Sequence, residues 1–330
     1  MDLRMGIIGL GRIGVQLLRC ATNLPGLKVT AIADERPSIP PPPGITHFTQ
    51  WEHLLADPRV DAVCICTPHH THDPMVEAAI RAGKHILVEK PLALTAARGK
   101  ALLETARRLN RILMVELTHR FYPAFVEAIA VVRAGQLGDL YAVEDRIIEP
   151  ATTQIVPWMQ QANLAGGGVA MTNGIHMLDR IAAITGQSLR FHSGAARYDA
   201  HLGDVEDAAA MFLTLDNGVP VQLLAAWPRG DSKVDDELTL YGTQGTLRLW
   251  AWRGWRFEPI DDGRPPVEQH PHPTGSDVQS IVRTGLSGAL REFVMAIVEQ
   301  RQPNPDAEAA ITAQELVESF YRHVHGREAQ

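Results

Sequence analysis

Residues 9–14 read Gly-Leu-Gly-Arg-Ile-Gly, a glycine spacing suited to a strand-to-helix turn wrapped around a phosphate. Gly9 permits the tight turn. Gly11 lets backbone approach a pyrophosphate at the helix N-terminus, which Arg12 and Ile13 open, and Gly14 lets the helix pack closely on the strand. Asp34 follows Gly14 by 20 residues at the end of a second apolar run, where a carboxylate accepts hydrogen bonds from an adenosine ribose. The pattern is that of a dinucleotide site. Glu35, beside Asp34, is a further cofactor-site candidate; the one negative charge at 34 repels a 2′-phosphate and favours NAD. Arg36, two residues on, can swing to such a phosphate, so NADP stays open. A second chemical signal is Glu89-Lys90-Pro91, at the end of an apolar run and so at the strand ends where open α/β sheets place ligands. Lys90 can hydrogen-bond a reacting oxygen and hold negative charge that develops on it, while Pro91 removes a backbone donor and shapes the next turn.

Other clusters carry less. His69, His70 and His72 have no carboxylate or cysteine at ligand spacing, so no metal is expected. Cys64 and Cys66 alternate in an apolar run and read as small buried hydrophobes. Trp250 and Trp252 alternate as if on one strand face, with Trp255 nearby, which points to sheet packing or a subunit interface before sugar stacking.

The elements that must position these residues follow from periodicity. Strands are expected at Met5–Leu10, Lys28–Ala33, Ala62–Cys66, His85–Glu89 and Ile112–Leu117, with helices at Ile13–Ala21, Pro74–Ala82 and Ala96–Leu109. That alternation predicts a parallel, doubly wound sheet over residues 1–121, with a stiff proline loop at Pro40–Pro43. Beyond Phe121 the rhythm changes to a helix at Ala124–Ala134, a glycine loop, a helix at Gly174–Thr185 and then successive strands. Residues 122–330 therefore read as an α+β domain, closed by helices near Ser287–Glu299 and Ala307–His323. Asp216-Asn217-Gly218, between the runs Ala208–Leu215 and Val219–Ala226, predicts a tight antiparallel hairpin.

The 330 residues, with 31 basic against 38 acidic side chains, are ordinary for a two-domain globular protein. No basic stripe offers itself to nucleic acid, and no segment has the length or apolarity of a signal peptide or a membrane span. A cytoplasmic protein acting on a small molecule is expected.

Taken together, Gly9–Gly14, Thr67-Pro68 with His72, Gly83-Lys84-His85-Ile86-Leu87-Val88-Glu89-Lys90-Pro91-Leu92, and Gly166-Gly167-Gly168 with His176 resemble the glucose-fructose oxidoreductase / inositol dehydrogenase (Gfo/Idh/MocA) family. The resemblance implies a Rossmann domain followed by an α+β domain with an open, mainly antiparallel sheet. It implies oxidation or reduction of a sugar, polyol or related alcohol by a nicotinamide, and a homodimer or homotetramer. It also implies that Thr67, Pro68, His72, Glu89, Lys90 and Pro91 line the cofactor site, with Lys90 doubling as catalyst and His176 donating or accepting a proton. Family members usually carry aspartate four residues before that histidine. This chain has Thr172, whose hydroxyl can orient the ring but cannot take up a proton as a carboxylate does. Asn173 and Asp179 are alternatives for that role. His119 and Arg120, after a Thr118 where many relatives have asparagine, and Trp158, ahead of the glycine loop, are further substrate-site candidates. The missing aspartate motivates a second reading, a dinucleotide-binding sensor without catalysis; the resemblance also implies a third that Thr172 does not exclude, a glycosidase or lyase that uses NAD transiently.

Overall fold

The computed structural model describes residues 2–35, 42–151, 155–199, 202–230, 234–260, 263–272 and 277–328. Arg36 and the first prolines of the proline run, Pro40 and Pro41, lie outside the described residues. Two compact units form, Met1–Thr118 with Arg283–Ile311, and His119–Val282 with Thr312–Gln330. A single break at 121 leaves out the return of residues 283–311 to the first unit. Their buried Leu286, Leu290 and Phe293 follow a helical period that says nothing of which surface they meet.

The first unit carries strands β1 (Leu3–Ile8), β2 (Leu27–Ala33), β3 (Thr46–Phe48), β4 (Ala62–Ile65), β5 (His85–Glu89) and β6 (Leu113–Glu116). They form one sheet in the order β3-β2-β1-β4-β5-β6, every pair parallel, so the order reverses at β1. Strands covered on both faces must be apolar throughout, and all four residues of β4 and the three central residues of β5 are buried. Between the strands run α1 (Arg12–Thr22), α2 (Trp51–Ala56), α3 (His69–Arg81) and α4 (Ala96–Arg108). Two expectations need correction. The short β3 and α2 carry too few residues for a periodic signal. Helix α3 starts at His69, not at Pro74, because Pro68 forms its N-cap and the helix tolerates Pro74 inside it, with no N–H there for the preceding turn.

In the second unit, α5 (Pro123–Arg133) is followed by β7 (Leu140–Ile148), a four-residue α6 (Ala162–Ala165), a π-helical turn at Ala170–Gly174 and α7 (Ile175–Thr185). Next come β8 (Leu189–Tyr198), β9 (Glu206–Leu215), β10 (Pro220–Ala226), β11 (Asp235–Gly242), β12 (Gly245–Trp250), β13 (Gly254–Pro259) and β14 (Val267–Gln269). These eight strands form a sheet in the order β14-β13-β12-β11-β7-β10-β9-β8. Only β7 and β10 pair in parallel; the other pairs are antiparallel. The predicted hairpin is β9–β10, closed by Leu215 N–H donating to Val219 O at 2.9 Å. Two long helices, α8 (Val278–Val298) and α9 (Ala307–Glu328), end the chain. Trp250 closes β12, so Trp252 falls in the following turn and does not share a strand face with it. Among the described residues no helix is long and apolar enough to cross a membrane.

Side chains alternate along the second sheet, one face buried and the other open, as an antiparallel sheet covered on one side requires. At the centre of the buried face sits a charge cluster. Arg180 of α7 donates from Nε to Asp145 Oδ2 at 2.8 Å and from Nη1 to Asp236 Oδ1 at 2.8 Å, with a further Nη2 contact to Asp145. All three residues are buried, so removing the cation leaves two carboxylates without compensation. Arg180→Met is expected to lower the unfolding free energy by about 3–5 kcal/mol. Urea denaturation checks this, and replacing Asp145 and Asp236 by leucine in the same variant should recover much of the loss.

Candidate active site

The turn after β1 is built around its glycines. Gly9 has φ +87°, and a Cβ there would stand 2.6 Å from Cys66 O. At Gly14 a Cβ would stand 1.9 Å from Gly9 O, so this glycine lets α1 close onto the turn itself. Gly11 differs, because a Cβ there would meet nothing within 4 Å. Among the described residues nothing requires glycine at 11; the open space over a helix N-terminus fits a phosphate group brought against the backbone. Arg12 and Ile13 form the first turn of α1, Arg12 exposed and Ile13 half-buried. Asp34 directly follows β2 and accepts Leu10 N–H at 2.6 Å, which ties the glycine turn to the strand end that would receive the ribose. Glu35 beside it is exposed.

The loops after β4 and β5 are held by one histidine. His72 is wholly buried, with Nδ1 2.7 Å from Pro91 O and Nε2 2.8 Å from Thr67 O, and burial holds its pKa below the usual imidazole range. It shapes both loops from beneath, leaving Thr67 and Pro68 at the half-exposed surface. Cys64, buried in β4, and Cys66, just past the strand end and half-buried where full burial is expected, are free thiols with sulfurs 3.6 Å apart. Among the described residues no three His, Cys, Asp or Glu side chains form a metal-binding group.

Glu89 and Lys90 stand at the carboxyl end of β5, both half-buried. Sequence reasoning missed the acid beside them. Glu116 ends β6, is 1% exposed, and pairs in register with Glu89. Thr118 Oγ1 donates to its Oε2, while Oε1 has no hydrogen-bond partner. Burial first, and then the Glu89 carboxylate, push Glu116 up to about 8. The only signal in the sequence was a glutamate closing an otherwise apolar strand.

In the second unit the glycine loop is anchored on Glu206, whose carboxylate accepts Gly168 N–H at 2.9 Å, Ala170 N–H at 2.8 Å and Tyr321 O–H at 2.8 Å. Gly167 has φ +150°, and a Cβ there would overlap the Tyr321 hydroxyl at 1.9 Å. The loop leads into the π turn that carries Thr172 and Asn173, and then into α7, where His176 is the second residue. The expected helix start at Gly174 is thus a widened turn, in which hydrogen bonds run from i to i+5. His176 stacks on His119, ring centroids 4.4 Å apart and planes 8° apart. Tyr122 and Trp252 close around His119 at 5.1 and 6.4 Å, and the Trp252 indole N–H has no hydrogen-bond partner. Other candidates pair elsewhere. Asn173 donates to Glu149 Oε2 at 3.1 Å and accepts from Trp227 Nε1 at 3.2 Å. Arg120 and Asp179 meet in a two-pronged ion pair, with Nε to Oδ2 at 2.8 Å. Trp158 lies in a short 3-10 turn, Pro157–Gln160, half-buried.

A six-stranded parallel sheet with a glycine turn at its switch point, an acid directly after β2 and a lysine directly after β5 defines a dinucleotide-binding oxidoreductase fold. Residues 3–117 match the model described as oxidoreductase family, NAD-binding Rossmann fold, and residues 125–248 match the GFO/IDH/MocA C-terminal domain. An uncharacterized oxidoreductase of Bacillus subtilis (strain 168), YrbE, is 30% identical over 253 residues, 73% of this chain and 72% of that protein. The scyllo-inositol 2-dehydrogenase (NAD(+)) of the same organism is 29% identical over 269 residues, 76% of this chain and 75% of that one. Among solved structures, an oxidoreductase domain protein from Kribbella flavida superposes with a TM-score of 0.87 at 22% identity, covering 99% of this chain and 98% of that one. The chain belongs to the Gfo/Idh/MocA family of NAD(P)-dependent oxidoreductases.

Two outcomes follow from this geometry. Gly14→Ala should destabilise the fold, whereas Gly11→Ala should melt like the parent and yet bind NADH at least about tenfold more weakly, equal to about 1.4 kcal/mol; thermal melts with fluorescence titration separate them. Glu116 keeps its proton in the folded chain over a range, from about 4.5 to about 8, in which the unfolded chain releases it. Its contribution to stability therefore falls as pH rises through that range. Glu116→Gln, which cannot ionise, should gain on the parent by at least about 3 °C in melting temperature between pH 5 and pH 9.

Proposed function

We propose that this chain is an NAD(H)-dependent oxidoreductase acting on a CH–OH group of a sugar, polyol or cyclic diol, or on the corresponding carbonyl. The observation that carries the reading is Lys90 at the carboxyl end of β5, on the same edge of the sheet as the glycine turn and Asp34. Bound nicotinamide would supply or take up the hydride at the carbinol carbon. Gly9 to Gly14, Asp34, Glu35, Thr67 and Pro68 would hold the cofactor, and the charge of Asp34 favours NAD over NADP. Lys90 would hydrogen-bond the reacting oxygen and stabilise charge on it. His176 would take or return the proton, with Thr172 one turn before it and His119 stacked on its ring to fix the imidazole plane. The dehydrogenase activity on scyllo-inositol carried by a relative's name supports the substrate class. Assembly as a homodimer or homotetramer is part of the same reading, through the open sheet face where Phe212 is 54% exposed.

The test follows nicotinamide absorbance with NAD, then NADP, across a panel of sugars, inositols, cyclic diols and their keto forms. Lys90→Ala should lose turnover by at least about a thousandfold, some 4 kcal/mol, while binding NADH within about threefold of the parent. Lost NADH affinity with turnover intact would contradict the role of Lys90. NAD binding without an absorbance change on any panel member would move the function to a sensor, or to transient oxidation if an aglycone is released without net NADH.

A further inference from the structure

Glu89 and Glu116 are register partners at the carboxyl ends of two adjacent parallel strands, so their side chains leave the same face of the sheet about 4.8 Å apart. Glu116 is buried; one of its oxygens accepts from Thr118, and the other has no partner. An ionised carboxylate with a bare buried oxygen is costly, whereas a protonated one has an O–H to offer a neighbouring carboxylate. The register sets the two carboxyls on one face of neighbouring strands, where the charge of Glu89 and the burial of Glu116 oppose a second ionisation and favour one proton on the pair. The surrounding groups favour that single charge. Lys90 follows Glu89 directly, and Arg12, in the first turn of α1, also acts on Glu89. The thiols of Cys66 and Cys20 feel Glu116 and add no cation; Lys90 acts on Glu116 as well, and Arg283 of α8 lies by Cys20, its carbonyl accepting from the Cys20 thiol.

We infer that Glu116 is a positioning residue of the cofactor site, forming with Glu89 a carboxyl pair whose shared proton sets the preference between oxidised and reduced nicotinamide dinucleotide. The inference rests on the dinucleotide reading above. In the strand order seen here the two halves of the sheet each take one mononucleotide, and Asp34 marks the β1–β3 half as the adenosine side. The ends of β4–β6, where the pair sits, face the other mononucleotide. Oxidised nicotinamide carries a positive charge on its ring and the reduced form does not. When the shared proton leaves to water, the pair gains a second negative charge and the oxidised form gains affinity relative to the reduced one.

The experiment measures binding of NAD and of NADH by calorimetry between pH 6.5 and pH 9.5, in the parent and in Glu116→Gln. In the parent, the ratio of NAD to NADH affinity should rise roughly five- to tenfold through pH 8, and in the variant it should stay flat. A ratio that is flat in the parent, or that rises equally in both, overturns the inference. A variant that merely packs badly would weaken both ligands at every pH and leave the rise intact, which also counts against it. Infrared titration of the cofactor-free parent gives a second reading. The carbonyl band of a protonated carboxyl should disappear with a midpoint near pH 8, and its absence at pH 6.5 overturns the shared proton. Failure of both ligands to bind at any pH would sink the dinucleotide reading and the cofactor bias with it, whereas binding with a flat ratio sinks the bias alone.

Discussion

The closure of α1 onto the turn that precedes it is the constraint on which the first unit depends. Gly14 meets the carbonyl of Gly9 with no room for a methyl group, and Gly9 itself is held against Cys66 in a conformation that disfavours a side chain. Once those contacts are made, the helix N-terminus points across the sheet edge at the place where strand order reverses. Asp34 locks the turn from β2 through Leu10 N–H, and His72 locks the neighbouring loops through two carbonyls. The result is a row of backbone and side-chain groups fixed before any ligand arrives, as an electrostatic site needs.

The second unit uses the same device differently. Its glycine loop wraps a buried carboxylate, Glu206, and leaves room for the Tyr321 hydroxyl at Gly167. That anchorage sets where the π turn begins, and so where His176 emerges at the head of α7. Stacking on His119 then limits how the imidazole can turn. Buried charge recurs in both units with opposite character. Arg180 is answered by two aspartates and pins α7 to the sheet, whereas Glu116 faces a second carboxyl and is left with an oxygen unanswered. The first arrangement holds a register; the second stores a proton.

Much of the fold was legible because its signals are local. The alternation of buried apolar runs with helical periods located five of the six parallel strands, and Asn217-Gly218 located the β9–β10 hairpin. What escaped had no local signature. Strand β3 is three residues long, α3 begins ahead of a proline, and the return of residues 283–311 to the first unit leaves no mark on periodicity. Arg120, a substrate-site candidate in the sequence, and Asp179, an alternative partner for His176, stand 59 positions apart in the chain, and only the fold makes them each other's partner.

By itself the sequence determined the chemistry on offer: a phosphate-binding turn from glycine spacing, an acid for a ribose, a lysine at a strand end, and a histidine after a glycine loop. Each of these follows from steric freedom or charge within a few residues. Tertiary structure decided which of the remaining polar groups keep company. Only the pairing of β5 with β6 places Glu116 beside Glu89, and only the packing of the turn after β6 against α7 stacks His119 on His176. Burial and the charge of a neighbour govern how an acid or an imidazole behaves, and both are properties of the folded chain.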